Sequence, residues 1–204
     1  MKRTYEATAL FLIALLLGAA LAGCAGAPTD EPLPADEPTS ELLTTAEPTT
    51  PEEFFEAGNR HAQAGEFQEA IAAYQAALEL KPDYLSAMSN LGVAYYNNGL
   101  LDEAVAEYQK ALEVAPEDAA VHSNLAAAYV QQGKLEEALE VYTRAVELEP
   151  ALAQAYFGLG VVYMQMGQNE DAIQAFENFQ KHDSGEDAMA TTQAEQYLNQ
   201  LREQ

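Results

Sequence analysis

The sequence predicts an all-α chain in which four similar helical hairpins and one closing helix follow an export segment and a tether. Three observations carry this reading. From residue 51 onward the chain keeps phase with itself at a fixed period of 34 residues. Within each period small, aromatic and proline positions recur together. The last residues then place Ala190, Ala194, Tyr197, Leu198 and Leu201 on one helical stripe.

Composition bounds what such a chain can be. Its 204 residues are 49% apolar, enough for one sizeable core with appendages. Nine basic residues stand against 33 acidic ones, a net charge of -24 that repels phosphate backbones and anionic head groups. Nucleic acid is therefore excluded as the expected partner. The same charge serves solubility, and it favours basic or neutral partners. Cys24 is the single cysteine, so neither an intramolecular disulfide nor a cysteine-rich metal site can form.

The N-terminus reads Met1-Lys2-Arg3, followed by an apolar run from Ala7 to Leu21. A basic start and a short apolar core are the parts of a secretory signal peptide. The run falls short of the roughly 20 residues that a membrane-crossing helix needs. Directly after it, Leu21-Ala22-Gly23-Cys24 resembles the lipobox of bacterial lipoproteins. The resemblance implies cleavage between Gly23 and Cys24, so that residues 1–23 are removed, and a diacylglycerol with further acyl chains on Cys24. An uncleaved anchor with an incidental cysteine is the alternative. Each acyl methylene contributes about 0.8 kcal/mol, so two or three chains hold permanently where one does not. The mature chain would carry seven basic and 32 acidic residues. Ala25, where the family's inner-membrane sorting signal has Asp, implies the periplasmic face of the outer membrane in a two-membrane bacterium. In a one-membrane host the same residue implies the outer face of the cell membrane.

Residues 24–50 read as the lipidated cysteine and a disordered acidic tether. The stretch holds Pro28, Pro32, Pro34, Pro38 and Pro48, many threonines and no basic residue, and it lacks the apolar surface to offset its ordering entropy. The 26 residues after Cys24 would span about 28 Å as a coil and at most about 80 Å extended. Leu42 and Leu43 form a small apolar pair within it, either a docking element or a chance neighbour pair.

The repeat units run 51–84, 85–118, 119–152 and 153–186, with the repeat pattern itself reaching residue 184. Their eighth residues are Gly58, Gly92, Ala126 and Gly160, and their eleventh are His61, Tyr95, Tyr129 and Tyr163. The fifteenth is always glycine (Gly65, Gly99, Gly133, Gly167) and the twentieth always alanine (Ala70, Ala104, Ala138, Ala172). The twenty-fourth is aromatic: Tyr74, Tyr108, Tyr142 and Phe176. Pro82, Pro116 and Pro150 stand at position thirty-two. Small residues at eight and twenty let two helices approach, and the aromatics fill the spaces between hairpins. Glycine at fifteen supplies the positive φ that ends the first helix, while proline stops the second. Asp102-Glu103, Glu136-Glu137 and Glu170-Asp171 suit the N-terminal dipole of the second helices rather than acid-base chemistry. His61, Phe179, Asn169 and Ser184 break the pattern in the terminal units, as end repeats do when one face lacks a neighbour. Residues 187–204 are expected to cap the apolar end.

This pattern resembles the tetratricopeptide repeat, a helix-turn-helix unit of 34 residues. The resemblance implies a right-handed α-solenoid whose first helices line a concave groove that holds a peptide or protein. Carried over residue by residue from the inward-facing positions two, five, nine, twelve and thirteen, the groove would present Phe55, Asn59 and Gln63 from the first unit. The second supplies Ser89, Val93, Tyr96 and Asn97, the third Ser123, Ala127, Val130 and Gln131, and the fourth Phe157, Val161, Met164 and Gln165. This lining is neutral, partly apolar and rich in amides that can pair with a main chain. One subgroup of the family clamps a terminal carboxylate with basic groove residues. Asn59, Asn90 and Asn124 resemble that clamp's asparagines, but Phe55, Ala120 and Asn124 occupy its basic positions, so a carboxylate clamp is not expected.

No catalytic pattern stands out. His61, His122 and His182 fall at different repeat positions, too far apart for a shared metal, and no phosphate loop or nucleophile elbow is present. The expected cofactor content is none beyond acyl lipid on Cys24, and no metal. The resemblance implies a membrane-anchored, non-enzymatic interaction scaffold in the bacterial cell envelope, with a protein or peptide partner and self-association possible. The alternative is an enzyme accessory or a small-molecule or glycan-binding lipoprotein.

Overall fold

The computed structural model describes residues 48–185 and 187–203. The expected signal segment, Cys24 and all but the last three residues of the tether lie outside the described residues. The described chain is all helical. Its elements are α1 (Pro51–Gln63), α2 (Phe67–Leu80), α3 (Leu85–Asn97), α4 (Leu101–Val114), α5 (Ala119–Gln131), α6 (Leu135–Leu148), α7 (Ala153–Gln165), α8 (Asn169–His182) and α9 (Ala188–Arg202).

Local chemistry sets the boundaries. Thr50 caps α1 through a capping box, its side chain accepting from Glu53 N–H while the Glu53 carboxylate accepts from Thr50 N–H. Those bonds to the Thr49 and Thr50 backbone hold the Glu53 carboxyl below its ordinary range. Each first helix ends in the same turn. Gly65, Gly99, Gly133 and Gly167 have φ between 73° and 78°. After Gly99, Leu100 N–H donates to Tyr95 C=O at 2.9 Å, and Gly99 N–H donates to Tyr96 C=O. This two-bond closure satisfies the orphan carbonyls and turns the chain at once into the second helix. Second helices α4, α6 and α8 have acid pairs in their first turn. They end two residues before position thirty-two, which is Pro116 after α4, Pro150 after α6 and Ser184 after α8.

Packing runs in chain order. Each helix packs on the next from α1 through α9, and successive first helices α1, α3, α5 and α7 also meet one another. The second helices make no comparable contact among themselves, so they splay while the first helices gather on the inner curve. The result is an α-solenoid. Position twenty is fully buried in every hairpin. A Cβ on Gly92 would stand 2.5 Å from the Tyr108 ring, and Gly58 and Gly160 meet Tyr74 and Phe176 in the same way. Glycine is thus required because a ring from the second helix lies directly on the backbone of the first.

The third hairpin solves the same problem differently. Ala126 occupies position eight, and the ring of the same hairpin, Tyr142, lies against Gly158 on the first helix of the fourth hairpin. The ring packs in a cluster shared by Ala126 of its own hairpin and Ala155, Leu159 and Val162 of the next. At the C-terminal end α9 closes the stack, burying Ala194, Leu198 and Leu201 against Phe176 and Phe179. Asp187 caps this helix by accepting from Met189 and Ala190 N–H.

Two kinds of glycine should respond differently to Ala. Gly92→Ala overpacks the Tyr108 ring and is expected to lower stability by about 1–3 kcal/mol. Gly99→Ala meets no atom within 4 Å but pays for its left-handed φ, about 1–2 kcal/mol. Urea unfolding in a Tyr108→Leu background separates them. There the Gly92→Ala penalty shrinks and the Gly99→Ala penalty stays; equal penalties in both backgrounds would contradict the ring-on-backbone packing.

Candidate functional site

The inner curve is built from helices with an unusual charge content for so acidic a chain. Neither α3, α5 nor α7 contains an Asp, Glu, Lys or Arg. Among the described residues the acids sit instead on α1, on the second helices, on α9 and in the connections and termini. On a first helix flanked on both sides, as α3, α5 and α7 are and α1 is not, charges would have to be desolvated between hairpins or face one another across the concave side, and both are costly.

Within this uncharged wall lies a pocket of about 240 Å³. Val93, Tyr96 and Asn97 of α3 line it with Tyr108 of α4, Asn124 and Ala127 of α5, and Gln154 of α7. Val93 is 37% exposed and offers the apolar contact. Asn97 donates to Val93 C=O at 2.9 Å, which fixes its amide at the rim. Tyr108 is buried, and that burial, with Tyr96 beside it, pushes its phenol well above the ordinary value of 10.0. Burial raises Tyr142 in the same way, again with a smaller contribution from Tyr96. The pocket therefore offers neutral phenols, amides and aliphatic surface, which suit an uncharged chain segment with one apolar side chain.

Four of the groove residues expected from sequence, Val93, Tyr96, Asn97 and Ala127, converge here. Gln63, Gln131 and Gln165 are exposed at the ends of their helices, and Ser89 is half-buried on α3. Others are placed differently than expected. Ser123 is only 1% exposed, and its hydroxyl has no hydrogen-bond partner among the described residues. Position five falls on the seam toward the next hairpin: Phe55 tilts onto Tyr74 and onto Tyr84 at 5.1 Å. Phe157 is likewise taken up edge-on by Phe176 and Phe179 and lies against Tyr197 of α9. Ser123 occupies the same seam and is covered. Val161 and Met164 pack partly into this terminal cluster, and Val130 into the cluster below it. Asn59 is a tie between repeats, its Oδ1 accepting from Tyr74 Oη at 2.7 Å and from Asn90 Nδ2 at 2.8 Å.

Three pocket residues escape the sequence reading of the groove. Tyr108 reads there as filling the space between hairpins, and Asn124 enters only through the carboxylate clamp. Gln154 stands at position two, whose inward direction is the available signal. The histidines are separately engaged: His61 with Glu66 at 2.7 Å, His122 with Pro116 C=O, and His182 stacked on Tyr156. Among the described residues no group of three His, Cys, Asp or Glu could hold a metal ion. Likewise none of their helices is long and apolar enough to cross a membrane.

Comparison with known proteins bears on this geometry. A family model described as TPR repeat matches residues 58–99, 98–133 and 127–167, and a second, described as Tetratricopeptide repeat, matches residues 154–184. A solved structure of MamA protein is similar over 75% of this chain and 81% of its own, at 26% identity and a TM-score of 0.64. The MamA fragment from Desulfovibrio magneticus RS-1 shares the fold over 67% of this chain and 77% of its own, at 23% identity and a TM-score of 0.61. YrrB, described as a TPR protein with an unusual peptide-binding site, covers 68% of this chain and 71% of itself, at 27% identity and a TM-score of 0.55. No curated protein matches.

The raised phenols give a pH test. A folded-state value above the unfolded one means that the contribution of Tyr108 and Tyr142 to stability is intact below about pH 10 and lost as pH rises through the raised values. Ultraviolet titration should show these two among the last of the eleven tyrosines to ionise. Tyr108→Phe should flatten the alkaline loss of stability; an unchanged profile would place the ring in water.

Proposed function

The chain belongs to the tetratricopeptide repeat family, and from that premise we propose that it is a non-catalytic protein-binding scaffold, held by lipid on Cys24 to the extracytoplasmic side of a bacterial membrane. The observation that carries the binding role is the uncharged inner wall of α3, α5 and α7 with its 240 Å³ pocket. A polypeptide laid there meets amides for its main chain and the Val93, Tyr96 and Ala127 surface for one apolar side chain. The acidic outer surface does not compete for that segment. The peptide-binding site named for YrrB supports a peptide as the occupant. The titratable groups lining the pocket are two tyrosines, which does not favour the rival reading of a carrier for an ionic small molecule.

The anchoring part rests on sequence alone. The basic start, the short apolar run and Leu21-Ala22-Gly23-Cys24 support export and acylation. The proline-rich acidic stretch before Pro51 would hold the solenoid clear of the membrane. In a two-membrane host Ala25 favours the outer membrane.

Two measurements test these parts separately. Val93→Lys combined with Gln154→Lys puts cations into the pocket without touching the core. Polypeptides that co-purify with the full chain from an extract of its host should be lost by about tenfold or more, with helical circular dichroism unchanged. Retention of the same polypeptides would move binding to another face. Independently, Cys24→Ser should shift the protein from the membrane to the soluble fraction, and a chain that stays in the membrane fraction would refute the lipid anchor.

A further inference from the structure

The outer side of the first two hairpins carries a second pocket, unrelated to the groove. A crevice of about 550 Å³ opens between α2 and α4, floored by Met88 and Leu91 of α3 and walled by Leu78. Across it Gln75 Nε2 donates to Tyr95 Oη at 2.8 Å. The next pair of hairpins repeats that bond, Gln109 Nε2 donating to Tyr129 Oη at 3.2 Å. The period breaks at position twenty-three. Three hairpins have Ala73, Val141 and Ala175 there, and the second has Glu107.

Glu107 is 5% exposed and lines the crevice. Its cationic neighbour among the described residues is Lys110, whose Nζ lies 2.8 Å from Oε2 while 60% of the lysine side chain is exposed. The carboxylate raises the Lys110 ammonium above its ordinary value. The other carboxylate oxygen makes no hydrogen bond to a described residue. The fold does not ask for this group, because an apolar side chain closes the same position in the other hairpins. A buried carboxylate held by one solvated lysine generally costs stability. Glu79 at the mouth adds a second negative group.

We infer that this crevice receives a cationic side chain, above all an arginine, from a basic segment of a protein partner. The carboxylate matches a guanidinium fork. Leu78, Met88 and Leu91 offer the apolar surface along which a long basic side chain lays its stem. From Pro51 onward, 26 acidic residues face seven basic ones, so a basic segment is drawn to this surface from solution. Lys110 is the internal competitor, and its exposure lets it swing into water as the incoming cation takes its place.

The test uses the full chain and two short peptides, acetyl-Ala-Arg-Ala-amide and its neutral citrulline counterpart, with amide chemical shifts around Tyr95 and Glu107 as the readout. The arginine peptide should shift these signals, more weakly as salt is raised, and the citrulline peptide should not. Glu107→Gln should weaken the response about tenfold or more, Lys110→Ala should strengthen it, and Val93→Lys in the groove should leave it unchanged. Glu107→Val should melt no lower than the parent while losing the response. Equal shifts from both peptides, or full binding by Glu107→Gln, would overturn the assignment. So would a Glu107→Val chain that unfolds, since the carboxylate would then belong to the fold. Spermidine acting on the same signals as strongly as the peptide would overturn it in favour of a free polyamine.

Discussion

One constraint organises the molecule: in each hairpin the aromatic ring at position twenty-four must lie on a backbone stripped of side chain. A ring 2.5 Å from where a glycine Cβ would stand leaves no room for even a methyl group. That closeness fixes the rest. The alanines at position twenty, and Ala77, Ala111 and Ala145 at position twenty-seven of the first three hairpins, vanish from solvent because the helices there are near enough to need nothing larger. The glycine turn must come within two residues of the helix end, or the second helix could not return over the first. No hairpin closes its own core, however. Met88, Tyr108, Val121, Leu125 and Ala128 form one cluster drawn from two successive hairpins, so the stack is stable as a stack.

The same geometry sorts charge. The first helices α3, α5 and α7 are covered by their own partner helix and by the elements before and after, and they carry no acid, whereas α1, which has no hairpin before it, carries three. An acidic chain thereby acquires an inner wall that offers amides and aliphatic surface and carries no Asp, Glu, Lys or Arg on α3, α5 and α7. Surface ion pairs contribute little to the fold itself. Arg202 with Glu177 and Arg144 with Glu147 are both about half exposed and belong to the class worth at most about 1 kcal/mol.

Much of this was legible in the period. Gly65, Gly99, Gly133 and Gly167 announce their turns because no other residue takes φ near 75° cheaply, and the stripe from Ala190 to Leu201 announces α9. The site was less legible for physical reasons. A 34-residue frame records that Ala126 is small, but not that Tyr142 lies on Gly158 of the next hairpin. Position five points inward in the abstract, yet whether it meets ligand or neighbour depends on the size of the side chains in the adjoining hairpin. Phe157 is taken by α9, Phe55 by Tyr84, and Ser123 is simply covered. Tyr108 reads as a core residue and is one, while its buried ring also forms a wall of the pocket. Glu107 reads as one acid among many, and only its burial sets it apart.

These departures are not scattered at random along the stack. At the N-terminal end Asn59 is bonded to Tyr74 and Asn90, and Phe55 is folded onto Tyr74 and Tyr84, so two of the three inward residues of the first hairpin are engaged within the stack. At the C-terminal end Phe157, Val161 and Met164 are drawn into the cluster that α9 closes. End repeats must cover an apolar face that lacks a neighbour, and they do so with the side chains that would otherwise meet a ligand. The open, uncharged surface is therefore concentrated in the middle, between α3, α5 and the start of α7, where every hairpin has a neighbour on both sides. In a four-hairpin solenoid of this kind the central hairpins keep their inward surface open because the outer ones are occupied in keeping the stack closed.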